Sequence, residues 1–212
     1  QTWCSSDLGR LPAAVSSDHL TLLGLAAMAA AGVSFAAFRV TPWAAVAVAL
    51  MLVLNWFGDS LDGTLARVRQ QQRPRYGFYV DHVIDLAGTS ALLGGLALSG
   101  LMPPLVAASV LAAYLLVSAE TYLATHSVGI FRMAMLGMGP TELRLLLIAG
   151  AARAAWSPWV TMGAVGTVRL FDVGGIIASV ALVVVFIASS VRNTRALYLA
   201  EPLPDVPARR AA

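Results

Sequence analysis

The sequence predicts an all-α integral membrane protein of six transmembrane helices, preceded by a short interfacial helix. Three observations lead there. Hydrophobic residues make up 58% of the 212-residue chain and charged residues only 12%, with a mean hydropathy of +0.77, whereas a soluble domain carries about 25% charged residues. Apolar stretches near the ~20 residues needed to cross a bilayer recur along the chain, separated by short polar or Pro/Gly-marked breaks. The arginines, finally, fall mostly on one side of such a six-helix arrangement.

The opening segment carries Trp3, Asp7, Arg10 and Pro12. It lacks the basic-then-apolar pattern of a cleavable signal and reads as the interfacial helix. Cys4, the single cysteine, has no partner for a disulfide or a cysteine metal site. The spans follow near 20–38, 43–66, 81–101, 105–126, 142–163 and 172–192. His19 stands before the first of them at the interface, and Thr21 is a polar residue near its start. Between the fourth and fifth spans, Gly137-Met138-Gly139-Pro140 reads as a break. Thr141 is then placed to cap the fifth helix, with Glu142 in its first turn facing the positive end of the dipole. Residues 1–200 read as one membrane domain without internal repeats, and 201–212, with three prolines and two arginines, as a disordered tail.

Lys and Arg number 14, all of them arginine. Arg10, Arg67, Arg69, Arg73, Arg75, Arg132, Arg144, Arg192, Arg195, Arg209 and Arg210 fall on one side, while Arg39, Arg153 and Arg169 fall on the other. By the positive-inside rule the richer side, with both termini, is cytoplasmic. The expected setting is a bacterial inner membrane. No soluble module is present to carry a nucleic-acid surface, so no nucleic-acid partner is expected.

Chemistry concentrates in residues 55–85. Asp59 and Asp62 stand three apart near the end of the second span, and Asp81 and Asp85 four apart at the start of the third, so each pair shares a helix face. An ionised carboxylate near the bilayer centre costs about 2.5 kcal/mol or more. Four of them near a membrane boundary call for cations. Hard oxygen ligands of this kind suit Mg²⁺ or Mn²⁺, and two close divalent ions held between the two helices would serve phosphoryl chemistry: neutralising a diphosphate while a partly free carboxylate accepts a hydroxyl proton. Gly63 and Ala66 leave room for a nucleotide beside the helix, and Arg67 is placed to meet a phosphate.

The ordered pattern Asp59-x2-Asp62-Gly63-x2-Ala66-Arg67-x9-Gly77-x3-Asp81-x3-Asp85 resembles the complete signature of the CDP-alcohol phosphotransferase (CDP-alcohol phosphatidyltransferase) family. The resemblance implies a Mg²⁺-dependent (or Mn²⁺-dependent) enzyme with two ions that releases CMP while making a phospholipid. It implies Asp59, Asp62 and Asp81 as metal ligands, with Asp85 sharing the metal site and serving as general base. Asp62, Gly63, Ala66, Arg67 and Gly77 would hold the CDP moiety, and the assembly would be a homodimer.

Two reactions divide the family. Glu120-Thr-Tyr122, then Phe131-Arg132 and Thr141-Glu142-Leu143, together with Phe-Tyr-Val-Asp-His-Val-Ile-Asp ending at Asp85, are similar to stretches of choline and ethanolamine phosphotransferases. That implies a CDP-linked alcohol as donor and a lipid hydroxyl, as on diacylglycerol, as acceptor. In the alternative, CDP-diacylglycerol donates a phosphatidyl group to a water-soluble alcohol or alcohol phosphate, whose anion Arg132, Arg144, Arg192 or Arg195 would bind. Glu120, His126, Arg132 and Glu142 are the expected acceptor or head-group residues. An alternative of another class is a transporter whose carboxylates bind permeating cations; the sequence has neither an inverted repeat nor midplane helix breaks to support it.

Overall fold

The computed structural model describes residues 12, 14–128, 140–163 and 166–201. The expected interfacial helix, the Gly137–Gly139 break, Arg132 and the tail after Glu201 lie outside these residues. Six α-helices run through the described chain: α1 (Ser17–Ala36), α2 (Ala44–Val68), α3 (Pro74–Leu98), α4 (Pro104–Val128), α5 (Pro140–Trp156) and α6 (Leu170–Ala200). A 3₁₀ turn, Ala37–Arg39, extends α1, and two short strands, β1 (Trp159–Met162) and β2 (Gly166–Arg169), separate α5 from α6.

Four of these helices are long and apolar enough to cross a membrane: α1 with its 3₁₀ extension, α2, α4 and α6. With these spans the chain is an all-α membrane protein apart from the small hairpin. In α3 the arginine and two aspartates of the first half dilute an otherwise apolar helix, and α5, at 17 residues, is about 26 Å long against a hydrocarbon core of about 30 Å.

Local chemistry accounts for the helix limits. Ser16 caps α1 in a reciprocal box with His19: His19 N–H donates to Ser16 Oγ at 3.3 Å, and Ser16 N–H to His19 Nδ1 at 3.0 Å. His19 therefore sits inside the first turn rather than before it. Helix α2 ends in a Schellman motif, with Gln71 N–H donating to the Ala66 carbonyl and Gln70 N–H to that of Arg67. Gln70 takes the left-handed position at φ 54°, where glycine is the usual occupant. Pro74 opens α3, its fixed φ suiting a first helical turn. Pro140 opens α5 in the same way, so Thr141 lies within the first turn and is not the cap.

The expected fifth span, 142–163, holds only as far as Trp156. Pro158 cannot donate to a helix, and Gly163 and Gly166 adopt φ of 43° and 86°. The chain instead turns into an antiparallel hairpin pairing Trp159 with Arg169 and Val160 with Val168.

Helix α1 organises the packing. It lies against both α2 and α3, while α5 leans on α2, α4 on α3, and α6 on α4. The helices carrying the aspartates thus rest on α1 rather than on each other. Contacts of Gly24 with Asn55 and Gly58, then of Ser17 and Thr21 with Asp62, run α1 antiparallel to α2. Contacts of Asp18 with Arg73, Met28 with Gly88 and Gly32 with Gly95 run it parallel to α3. A Cβ on Gly58 would come within 2.7 Å of the Leu20 carbonyl oxygen, so only glycine permits the α1–α2 approach. The main apolar core, including Phe35, Val48, Leu52, Leu96 and Phe171, fills the end of the bundle away from the aspartates, and a smaller group of Leu20, Leu61 and Leu65 seals the aspartate end.

Candidate active site

The four aspartates converge at one end of the bundle, on the last three turns of α2 and the first half of α3, with the start of α1 behind them. Their charges act on one another: Asp85 is repelled by Asp81, Asp59 and Asp62, and attracted by Arg144. Asp62 is likewise repelled by Asp81 and Asp59. This is one acidic site rather than two independent helix faces.

Individual tethers aim the carboxylates. Thr21 Oγ1 donates to Asp62 Oδ2 at 2.9 Å while also lying 3.1 Å from the Ser17 carbonyl oxygen. Ser17 Oγ donates to the Asp62 backbone carbonyl at 2.9 Å, and Gly63 N–H turns back to Asp62 Oδ1. Asp59 meets Arg144 of α5, whose Nη2 lies 2.7 Å from its Oδ2. Arg144 also donates from Nε to Asn55 Oδ1 at 2.8 Å, and the buried Asn55 donates from Nδ2 to the Gly24 carbonyl at 2.9 Å.

Beside the carboxylates, Arg67 is exposed and donates to Thr64 Oγ1 at 3.0 Å. Gly63 and Gly77 are exposed. A Cβ added at Gly77 would meet nothing within 4 Å, and one at Gly63 only Arg67 Nη1 at 3.7 Å. Ala66 is half-buried, its carbonyl spent on the Schellman motif. The loop between α2 and α3 is pinned to α1: Arg73 donates to both oxygens of Asp18 at 2.8 and 2.7 Å and lies 4.0 Å over the Tyr76 ring. That hydrogen bond to Asp18 pushes Arg73 above the usual arginine range. Arg69 adds bonds to the Val15 and Pro12 carbonyls.

Helix α4 forms a further wall. Tyr114 lies within electrostatic reach of Asp85 and Asp81. His82 is buried, its Nδ1 2.6 Å from the Phe78 carbonyl oxygen and its ring edge-on to Tyr122 at 4.9 Å. It therefore serves the α3–α4 contact.

Glu120 of α4 accepts from Asn193 Nδ2 of α6 at 2.7 Å. His126 is exposed near the end of α4, and Glu142 is exposed in the first turn of α5. Sequence reasoning missed Asn55, Ser17 and Tyr114. Asn55 did carry a signal, as a polar residue one turn before Asp59 in an apolar helix.

The donor set suits divalent cations: four mutually repelling carboxylates with Arg144 as the cation in direct contact. Among the described residues no three acidic, histidine or cysteine side chains already stand at metal-binding separation. The fit is thus one of ligand chemistry and charge.

Comparison with known proteins places this geometry. The family model for CDP-alcohol phosphatidyltransferase matches residues 15–187, a range that includes all of α1 to α5 and the whole acidic site. The chain belongs to the CDP-alcohol phosphatidyltransferase family. Members of this family are transferases that use a CDP-linked donor, an alcohol or lipid acceptor and divalent metal ions. Among solved structures, the apo crystal structure of Mycobacterium tuberculosis phosphatidylinositol phosphate synthase shares the fold, with a TM-score of 0.63 and 20% sequence identity over 92% of this chain and 95% of that one. No curated protein sequence matches. Family membership and fold make this CDP-alcohol phosphatidyltransferase relative an integral membrane protein of phospholipid-synthesising phosphotransfer, which is against the transporter reading.

Proposed function

We propose that the chain joins a phospho-alcohol group from a CDP-linked alcohol to the hydroxyl of a diacylglycerol-like lipid, releasing CMP. The observation that carries the phosphoryl chemistry is the convergence of Asp59, Asp62, Asp81 and Asp85 into one mutually repelling cluster beside an open glycine-lined surface. In this reading Asp59, Asp62 and Asp81 hold Mg²⁺ or Mn²⁺, two ions in all, with Asp85 sharing the site. When bound, the ions neutralise the donor diphosphate and the charge that develops on departing CMP.

The chain's own residues do the rest. Gly63, Ala66 and Gly77 give the nucleotide a surface without bulk, and Arg67 turns from Thr64 to a donor phosphate. Asp85 accepts the proton of the acceptor hydroxyl. The oxygen so freed bonds to the phosphorus bearing the alcohol, and the bridging P–O bond to CMP breaks. His126, Arg132 and Glu142 are the candidates for the acceptor or head-group pocket, with Glu120 acting from its bond to Asn193. The site faces the cytoplasm of a bacterial inner membrane in a six-span topology, since Arg67, Arg69, Arg73 and Arg75 crowd its end while Arg39, Arg153 and Arg169 lie at the other. A homodimer belongs to the same reading on the family resemblance.

The engagement of Arg144 with Asp59 and Asn55 supports the lipid-acceptor branch, because it occupies a cation at the site that a second anionic substrate would need. A second reading is phosphatidyl transfer from CDP-diacylglycerol to a soluble alcohol or alcohol phosphate, which the likeness to a phosphatidylinositol phosphate synthase favours. The test is CMP release by purified protein with CDP-choline, CDP-ethanolamine or CDP-diacylglycerol crossed against lipid and soluble acceptors, with products identified by mass spectrometry. Release from CDP-diacylglycerol alone, with a soluble acceptor, overturns the first reading in favour of the second.

A further inference from the structure

Arg144 reaches the acidic site from α5, outside the pair of helices that bears the aspartates. Its side chain is only 11% exposed. Two nitrogens of its fork are engaged at once, Nη2 by Asp59 and Nε by Asn55, and Asn55 is held in turn by the Gly24 carbonyl. Three helices thus meet in one line of hydrogen bonds that ends on a single oxygen of Asp59. A planar guanidinium fixed at two points sets the direction of a carboxylate more firmly than a mobile point charge would. The bond takes Asp59 Oδ2 and leaves Oδ1 outside it.

We propose that Arg144 is a positioning residue for metal binding: anchored through Asn55, it holds the Asp59 carboxylate in the orientation from which Asp59 grips a divalent ion. The inference rests on the reading that the aspartates bind such an ion. It opposes a simpler role, in which Arg144 is only a counter-ion to the acidic cluster. The two roles give opposite signs. Removing a positive charge beside a cation site strengthens cation binding when charge alone matters. Removing the group that orients a ligand weakens it, by about 10–100-fold in known metal sites.

The experiment is Mn²⁺ binding to the full-length protein in lipid nanodiscs, read from the electron paramagnetic resonance signal of free Mn²⁺, with thermal unfolding of each metal-free variant measured alongside. Arg144→Gln is expected to bind Mn²⁺ at least about tenfold more weakly than the wild type. Asn55→Ala, which changes no charge, is expected to weaken it in the same direction. Arg144→Lys keeps the charge but loses the fork; it is expected to weaken Mn²⁺ binding less than Arg144→Gln does, and it decides the matter if Arg144→Gln does not fold. Wild-type or tighter affinity in Arg144→Gln, or wild-type affinity in Arg144→Lys, overturns the positioning role while leaving the metal site standing. A wild-type protein that binds no Mn²⁺ overturns the metal reading and this inference with it.

Discussion

Gly32 and Gly95 bring α1 and α3 together backbone to backbone: a Cβ on Gly95 would lie 1.9 Å from the Gly32 carbonyl oxygen. From the other side, a Cβ on Gly32 would lie 2.4 Å from the carbonyl oxygen of Ala91. Both obstacles are main chain and have no rotamer to move into. Small residues that admit such close approach are a recurrent means of joining helices in membranes.

Gly95→Ala should therefore destabilise the protein by about 1–3 kcal/mol, the usual range for overpacking. Gly94→Ala, one residue away with nothing within 4 Å, should leave stability unchanged or slightly raised by helix propensity. Thermal unfolding in detergent separates the two. Equal melting temperatures would refute the close contact.

Gly77→Ala tests the open surface at the start of α3. The new methyl meets nothing in the chain, so the unfolding temperature should hold within a degree or so of the wild type. If CDP lies against Gly77, KM for the donor should rise several-fold while kcat changes less. An unchanged KM removes Gly77 from the donor site.

Gln70→Gly should stabilise the α2–α3 turn. Gln70 holds φ 54°, a conformation that costs a residue with a side chain about 1 kcal/mol or more, and glycine returns part of this through its greater freedom when unfolded. A gain of up to about 1 kcal/mol is expected in denaturant or thermal unfolding. A loss would mean that the Gln70 side chain contributes contacts of its own.

Asp85→Asn and Asp59→Ala should fail differently. Without its proton acceptor, the Asp85 variant should lose about 10²–10⁴ in turnover while giving up less Mn²⁺ affinity than the Asp59 variant does. The Asp59 variant should lose metal binding and activity together and leave Arg144 without its carboxylate partner. Calorimetry with Mn²⁺ beside CMP-release kinetics distinguishes them, and full turnover in Asp85→Asn would sink the general-base role.

Much of this was legible in the sequence because it depends on composition and short-range spacing. Membrane residence follows from the scarcity of charge, and the two aspartate pairs are visible from helical periodicity alone. What was hidden depends on partners distant in the chain. Nothing in the spacing of Gly24, Gly32, Gly58 and Gly95 says which glycine meets which backbone, so the position of α1 between α2 and α3 could not be read. Arg144 looked free for a substrate anion because Asp59 is 85 residues away. Thr141 had the right chemistry for a cap, but Pro140 is itself a favoured first helical residue. The β1–β2 hairpin escaped notice because Val160, Thr161 and Val168 are too few to show strand alternation beside an apolar helix.

The hydrogen bond between Asp59 and Arg144 also sets an order of events in the making of the protein. All four aspartates, and the helix that supports them, leave the ribosome before α4 begins. At about 5–20 residues per second, Arg144 follows Asp59 by on the order of ten seconds. During that interval the newborn three-helix unit must face its own negative charge with water and dissolved cations, before α5 arrives to close the circuit.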